Sequence, residues 1–361
     1  MRDSLLKRFN QIFDTGEFIL GSEVKEIETT LAKYTKATFA IGCANGTDAL
    51  TLALMALDLK AGEIVFTPSF TFVAPAESIC LLGGIPYFVD IKAGEFNLCP
   101  LNLEESIISA KKLGLKVRGI ISVDLFGHPV DYKAIKALAD KYGLFFIADC
   151  AQSFGAVYNA NQVGSLADIS ITSFFPTKPL GCYGDGGMMF TNNEGIAETL
   201  RSLISHGKGT DKYNNVRIGM NSRLDTLQAA VLLEKMTTFT AEIKHRHELA
   251  LFYNHELSAY YETPKIVSET TPAWAVYSLM HANRNEIIEA LKTHKIPSNI
   301  YYKIPAHRQP AYEHYPKNGP MEQTELVCAS IFAIPMHAYI NAEERNYITK
   351  TLKEVAIKVG R

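Results

Sequence analysis

Ser173-Phe174-Phe175-Pro176-Thr177-Lys178-Pro179-Leu180-Gly181-Cys182-Tyr183-Gly184-Asp185-Gly186-Gly187 places a single amine just past an apolar strand, Ile169 to Phe174, in a loop built from Pro and Gly. Glycine lets a backbone crowd around a flat ligand, and partial desolvation lowers an amine's pKa until it becomes a nucleophile. Lys178 therefore reads as a Schiff-base lysine. Met alone, it would read as a surface lysine with a buried stem.

Two other segments decide between these readings. The strand-like run Leu144-Phe145-Phe146-Ile147 leads into Ala148-Asp149-Cys150-Ala151-Gln152-Ser153-Phe154-Gly155, which puts a carboxylate at a strand's carboxyl end. Ligands of open α/β sheets bind there, and an Asp in that place can keep a pyridinium nitrogen protonated, although an Asp also commonly caps a following helix. Further upstream, strand-like Thr38 to Ile41 turns through Gly42-Cys43-Ala44-Asn45-Gly46-Thr47-Asp48 into a helix carrying Leu50, Leu52, Leu54, Met55 and Leu57. The helix opens at Gly46 and Thr47, where free N–H groups and the dipole favour a phosphate; in isolation the same residues mark an ordinary turn and cap. An amine, a carboxylate and a phosphate nest together are what pyridoxal 5′-phosphate requires.

Helical and strand-like stretches alternate through the first two hundred residues, with strands near Ile64 to Thr67, Pro86 to Asp90 and Val117 to Val123 besides those above. That alternation predicts an α/β domain with a mainly parallel wound sheet over residues 1–240. A long helical segment from about Leu224 to Leu257 leads to a smaller C-terminal α+β domain, residues 241–361. It comprises strand-like Ala275 to Met280, a helix near Arg284 to Thr293, a short element at Ser298 to Tyr302 and a closing helix from Ala342.

At 361 residues, 47% hydrophobic and net charge −2, the chain can bury a large core and has no basic excess for nucleic acid or a membrane surface. Its six cysteines form no Cys-x-x-Cys pair, which argues against disulfides and a structural metal and for a reducing cytoplasm. Arg2 to Phe13 reads as an amphipathic helix, with Leu5, Leu6, Phe9, Ile12 and Phe13 on one side, rather than as a signal peptide, and no apolar run approaches membrane length.

The chain resembles the DegT-type sugar-nucleotide aminotransferases, within the fold type I enzymes that use pyridoxal phosphate. The resemblance rests on Ala44 to Leu50, Ser69-Phe70-Thr71-Phe72-Val73-Ala74, Asp149 to Gly155, Ser173 to Gly187 and Gly219-Met220-Asn221-Ser222-Arg223-Leu224-Asp225-Thr226-Leu227-Gln228. It implies that Lys178 makes the covalent link to the cofactor, Asp149 pairs with the ring nitrogen, Gln152 lies near the ring hydroxyl and Phe72 stacks on the ring. Gly46, Thr47 and Ser173 would hold the phosphate, with Asn221 reaching it from the second subunit of a homodimer.

For the substrate, the resemblance makes Arg223 the candidate for an anionic or hydroxyl-rich group. Tyr301-Tyr302-Lys303-Ile304-Pro305-Ala306-His307-Arg308-Gln309 is similar to a His-Tyr-Pro-x-Pro loop, with Tyr301 and His307 as sugar contacts. Tyr301 stands where many members carry His, and Lys303 replaces the first Pro. The Lys178 run is most similar to the branch that aminates C3 of UDP-linked 3-oxo-N-acetylglucosaminuronic acid with L-glutamate, on the route to surface polysaccharides such as lipopolysaccharide O-antigen. Enzymes acting on dTDP-linked 3-keto-6-deoxyhexoses or on 4-keto sugars are the alternative. A dehydratase would carry His in place of Lys178, a desulfurase needs a mobile Cys that Cys328 does not supply, and a non-catalytic regulator would not need the Lys178 and Asp149 pair. No Gly-x-Gly-x-x-Gly follows the first strand, as a nicotinamide enzyme would need.

Overall fold

The computed structural model describes residues 1–211 and 213–360. Five short strands, β1 (Phe39–Cys43), β2 (Ile64–Pro68), β3 (Ile85–Val89), β4 (Val117–Val123) and β5 (Phe145–Asp149), alternate with α3 (Gly46–Ala56), α4 (Ala74–Leu81), α5 (Pro100–Lys112) and α6 (Tyr132–Tyr142). Two helices, α1 (Arg2–Thr15) and α2 (Ser22–Thr35), precede them. A small ribbon of β6 (Val157–Tyr158) and β7 (Asn161–Gln162) leads to β8 (Ile169–Ser173), β9 (Gly187–Thr191) and α7 (Glu194–Leu203).

The seven-stranded sheet runs β1-β9-β8-β5-β4-β2-β3. Every neighbouring pair from β8 to β3 is parallel, whereas β9 lies antiparallel to both β8 and β1. Side chains of successive strand residues point to opposite faces, and the core divides accordingly. Phe66, Ile120, Phe146, Ala148 and Phe190 pack beneath α1, α2, α5, α6 and the first half of α8 (Thr226–Leu257). Their neighbours Val65, Ile121, Phe145, Ile147 and Met189 pack against α3, α4 and α7. A sheet buried on both faces needs continuously apolar strands, which explains the unbroken runs in the sequence.

The helix α8 is 32 residues long and crosses position 240 without a break. Its residues up to Ile243 belong to the large core, and from Leu249 onward to a second core. That core gathers β11 (Tyr277–Met280), α9 (Arg284–Thr293), β12 (Ile331–Ile334) and α11 (Ala342–Val359), with α10 (Glu322–Ser330) leading into β12. The strands β11 and β12 pair antiparallel, and the two-residue β10 (Thr270–Thr271) pairs with β6.

Three local expectations differ. The segment 298–302 is not a regular strand: Asn299 makes one isolated bridge to Ala333, and the chain then turns toward the site. The partner of β11 is instead β12, four consecutive apolar residues that directly follow a helix and whose run has no period of its own to separate them from it. In α1, Leu5 and Ile12 are buried, but Leu6 and Phe13 are 48% and 57% exposed. None of the helices among the described residues is long and apolar enough to cross a membrane.

Candidate active site

A cavity of about 920 Å³ opens at the carboxyl ends of the parallel strands, a size suited to a cofactor with its substrate. Asp149 is the last residue of β5 and Ser173 the last of β8. Phe72 follows β2, Gly46 opens α3 directly after β1, and Lys178 lies on the loop joining β8 to β9. All five line the cavity, as do Thr47, Gln152 and Tyr301. Five separate segments thus bring their polar groups to one sheet edge.

The cradle is built by capping and close packing. Asn45 caps α3, its side chain accepting from the Asp48 N–H at 2.8 Å, and the first N–H groups of a helix have no acceptor within it. A Cβ on Gly46 would sit 2.8 Å from the Ser173 Cβ, and one on Gly187 would sit 2.5 Å from the Asn45 carbonyl oxygen. Glycine is thus demanded by contact at both places, and the cradle's floor is backbone. The Lys178 loop is closed by its own hydrogen bonds, from Phe174 N–H to the Gly186 carbonyl and from Cys182 N–H to the Phe174 carbonyl, both 2.8 Å, and from Lys178 N–H to the Phe175 carbonyl at 2.9 Å.

Burial sets the charges. It pushes the Asp149 carboxyl up to about 6, although the Ala151 N–H, donating at 2.9 Å, and the Lys178 charge pull it down. It pushes the Lys178 amine down, against the Asp149 charge. Beyond their mutual attraction, each group is therefore poised for a further partner, a cationic ring nitrogen for Asp149 and an electrophile for the amine. The Thr71 hydroxyl, buried at the cavity wall, has no hydrogen-bond partner among the described residues. Phe72, an aromatic at a cavity wall, is 53% exposed. A flat cationic ring with an electrophilic carbon and a phosphate fits these groups.

Gln152 is held on both sides of its amide. Its Oε1 accepts from the Phe126 N–H at 2.9 Å, and its Nε2 donates to the Tyr302 hydroxyl at 3.4 Å. Behind it, the Asp124 carboxylate accepts from the Tyr132 and Ser153 hydroxyls, each at 2.7 Å, and from the Val130 N–H at 2.8 Å. Burial pushes Asp124 up to about 6. Nothing in the sequence marks Asp124, which has no motif of its own, or separates Tyr302 from the adjoining Tyr301. Cys150 is a buried thiol 3.3 Å from the Tyr132 hydroxyl, raised by burial, as suits a packing role.

Three expected site residues lie off this cavity. Asn221 is exposed and accepts a hydrogen bond from Arg223, and neither residue lines the pocket of its own chain. His307 is turned into the protein, its Nδ1 2.6 Å from the Ser69 hydroxyl and its Nε2 3.0 Å from Glu325 Oε1, so its ring does not face the space where a sugar would enter. Tyr301 does line it, with its hydroxyl accepting from Asn299 at 3.3 Å.

A mainly parallel sheet carrying an amine, a buried carboxylate and a phosphate cradle at its carboxyl edge defines the class: an aminotransferase of the α/β, fold type I architecture that uses pyridoxal phosphate. Residues 1–353 match the model of the DegT/DnrJ/EryC1/StrS aminotransferase family, and the chain belongs to that family. It is 39% identical to the UDP-2-acetamido-2-deoxy-3-oxo-D-glucuronate aminotransferase of Pseudomonas aeruginosa, over 98% of this chain and 96% of that one. It is 35% identical to a dTDP-3-amino-3,6-dideoxy-alpha-D-galactopyranose transaminase of Aneurinibacillus thermoaerophilus, over 93% and 90%. Among solved structures, a family member from Brucella abortus superposes with a TM-score of 0.96 at 42% identity, covering 98% of this chain and 95% of that one.

Proposed function

We propose that this enzyme transfers the amino group of L-glutamate to C3 of UDP-2-acetamido-2-deoxy-3-oxo-glucuronate, releasing 2-oxoglutarate and a 3-amino uronate for surface polysaccharide. The observation that carries the reading is the 39% identity to the Pseudomonas aeruginosa enzyme over 98% of the chain. Conservation of the chemistry is supported by Lys178 and Asp149 facing one cavity. A cytoplasmic, membrane-free enzyme is the natural setting for a nucleotide-linked substrate.

Bound in the cavity, pyridoxal phosphate supplies an electron sink for negative charge that develops beside the transferred nitrogen. Gly46, Thr47 and Ser173 would hold its phosphate, Phe72 would cover its ring, Asp149, ionised, would pair with its ring nitrogen, and Gln152 would orient its hydroxyl. Lys178 Nζ, whose pKa burial lowers against the Asp149 charge, takes a proton from Cα of glutamate and delivers one to C3 of the sugar.

The active form is a homodimer in which Asn221 of the partner subunit completes the phosphate site and Arg223 of the partner subunit meets the sugar nucleotide. The exposure of Asn221 away from its own cavity supports this arrangement. So does an apolar surface of Phe13, Phe18, Ile19 and Leu20, each 45–57% exposed, with the rings of Phe13 and Phe18 6.4 Å apart.

Incubation with L-glutamate and either the UDP-linked 3-oxo uronate or a dTDP-linked 3-keto-6-deoxyhexose, with 2-oxoglutarate and product mass followed, tests the assignment. Faster turnover of the dTDP sugar would move the enzyme to the branch of the Aneurinibacillus relative. No 2-oxoglutarate from either would reject both.

A further inference from the structure

The mouth of the cavity holds a cation that no side chain among the described residues neutralises. The cationic residues lining it are Lys178 and Lys303. Lys178 is engaged electrostatically with Asp149, whereas Lys303 is exposed and forms no ion pair or hydrogen bond among the described residues. Arg308, the next basic residue of the loop, is already taken up by Glu325 at 2.6 Å.

The backbone on either side of Lys303 is anchored. Tyr302, immediately before it, reaches Gln152 through its hydroxyl at 3.4 Å. Three residues later the Ala306 N–H donates to the Ser69 carbonyl at 2.9 Å, and His307 Nδ1 lies 2.6 Å from the Ser69 hydroxyl. Anchors on both sides fix the backbone from which the lysine reaches, so less loop freedom is lost when it meets a ligand. The residue before it touches Gln152, and Lys303 and Gln152 line the same cavity, so the lysine stands on the side of the cavity where the sugar ring must sit to react. A charge so placed serves an anion borne by the sugar ring itself better than one beyond its anomeric oxygen.

We propose that Lys303 is a specificity-determining residue that receives the C6 carboxylate of the uronic acid, an inference that rests on the uronate reading above. The experiment is calorimetric binding of UDP-glucuronate and UDP-glucose, which differ only at C6, to the holoenzyme. Wild type should prefer UDP-glucuronate. Lys303→Met should weaken UDP-glucuronate by roughly ten- to a hundredfold, the loss of one charge-assisted bond, and leave UDP-glucose within about twofold, while Lys303→Arg keeps the preference. Equal losses on both ligands would assign the charge to the diphosphate and overturn the carboxylate role. A preference that survives in Lys303→Met would overturn the role of Lys303 with the uronate reading intact, and a wild type without preference would overturn both.

Discussion

The hydroxyl of Ser69, one residue past β2, lies 2.6 Å from Nδ1 of His307, 238 positions away in the chain. The His307 backbone N–H points at the same oxygen from 3.4 Å, so the hydroxyl proton is free to go to Nδ1 and the ring's own proton sits on Nε2, facing Glu325. Burial lowers the His307 pKa, in keeping with a neutral ring. This contact bolts the loop carrying Tyr301, Tyr302 and Lys303 to the sheet. His307→Ala leaves a buried hydroxyl without its acceptor and should cost about 1–3 kcal/mol of stability in urea unfolding. It should also raise KM for the sugar nucleotide while leaving KM for glutamate near the wild-type value. His307→Asn, which keeps an acceptor near Nδ1, should recover much of both.

Lys178 should carry the cofactor covalently. The purified protein is expected to be yellow, and borohydride should bleach the colour while adding the cofactor's mass to the peptide containing Lys178. Lys178→Ala should lower turnover by roughly 10²–10⁴-fold or more, because it removes both the nucleophile and the proton carrier, yet it should retain cofactor by the cradle. Absorbance and peptide mass spectrometry check this; full activity in Lys178→Ala would reject it.

Asp149 trades stability for chemistry. Its carboxyl rises from an ordinary 3.8 to about 6 in the folded chain, so between those values the folded state binds more protons than the unfolded one. Stability of the cofactor-free protein therefore falls as pH rises through that window, and the full cost is present above it. Asp149→Asn should make the cofactor-free protein more stable at pH 7 by on the order of 2 kcal/mol, a difference that fades below about pH 4. The same change should weaken cofactor binding and turnover. Denaturant midpoints measured across pH in both proteins decide the sign.

Subunit sharing predicts complementation. Inactive Lys178→Ala and inactive Asn221→Ala proteins, unfolded together and refolded as a mixture, should regain activity, because in a hybrid dimer one site carries both lesions and the other carries neither. About a quarter of wild-type activity is expected if random pairing makes half the dimers hybrid, each with one intact site. A mixture that stays inactive, with hybrids verified by mass, would place Asn221 in service of its own subunit.

Much of this architecture was legible because its signals are local. The strands from β2 to β5 fall within about two residues of the apolar runs that announced them, as period-based boundaries do. Asp149, Lys178, Gly46, Thr47, Phe72, Gln152 and Ser173 share one cavity because each stands at a strand end or helix start that its own flanking residues specify. The illegible parts depend on partners remote in sequence. His307 faces away from the cavity because Ser69 and Glu325 claim its two nitrogens. Tyr302 rather than Tyr301 reaches Gln152, a choice between adjacent identical side chains that only the path of the loop can make. Asp124 has meaning only once Tyr132 and Ser153 surround it.

The continuous α8 carries the chain from one core to the other without a break in the helix. At 32 residues it is a rod of about 48 Å. One end is anchored beside the cradle, where the Thr226 hydroxyl accepts from the Gly21 N–H at 3.1 Å and nearby Ser222 accepts from the Ala44 N–H at 3.1 Å. The other end is set among Tyr253, Leu257 and Trp274. A loosened C-terminal core therefore tugs on the phosphate nest through a stiff beam, so damage far from the chemistry should register as a change in how firmly the cofactor is gripped.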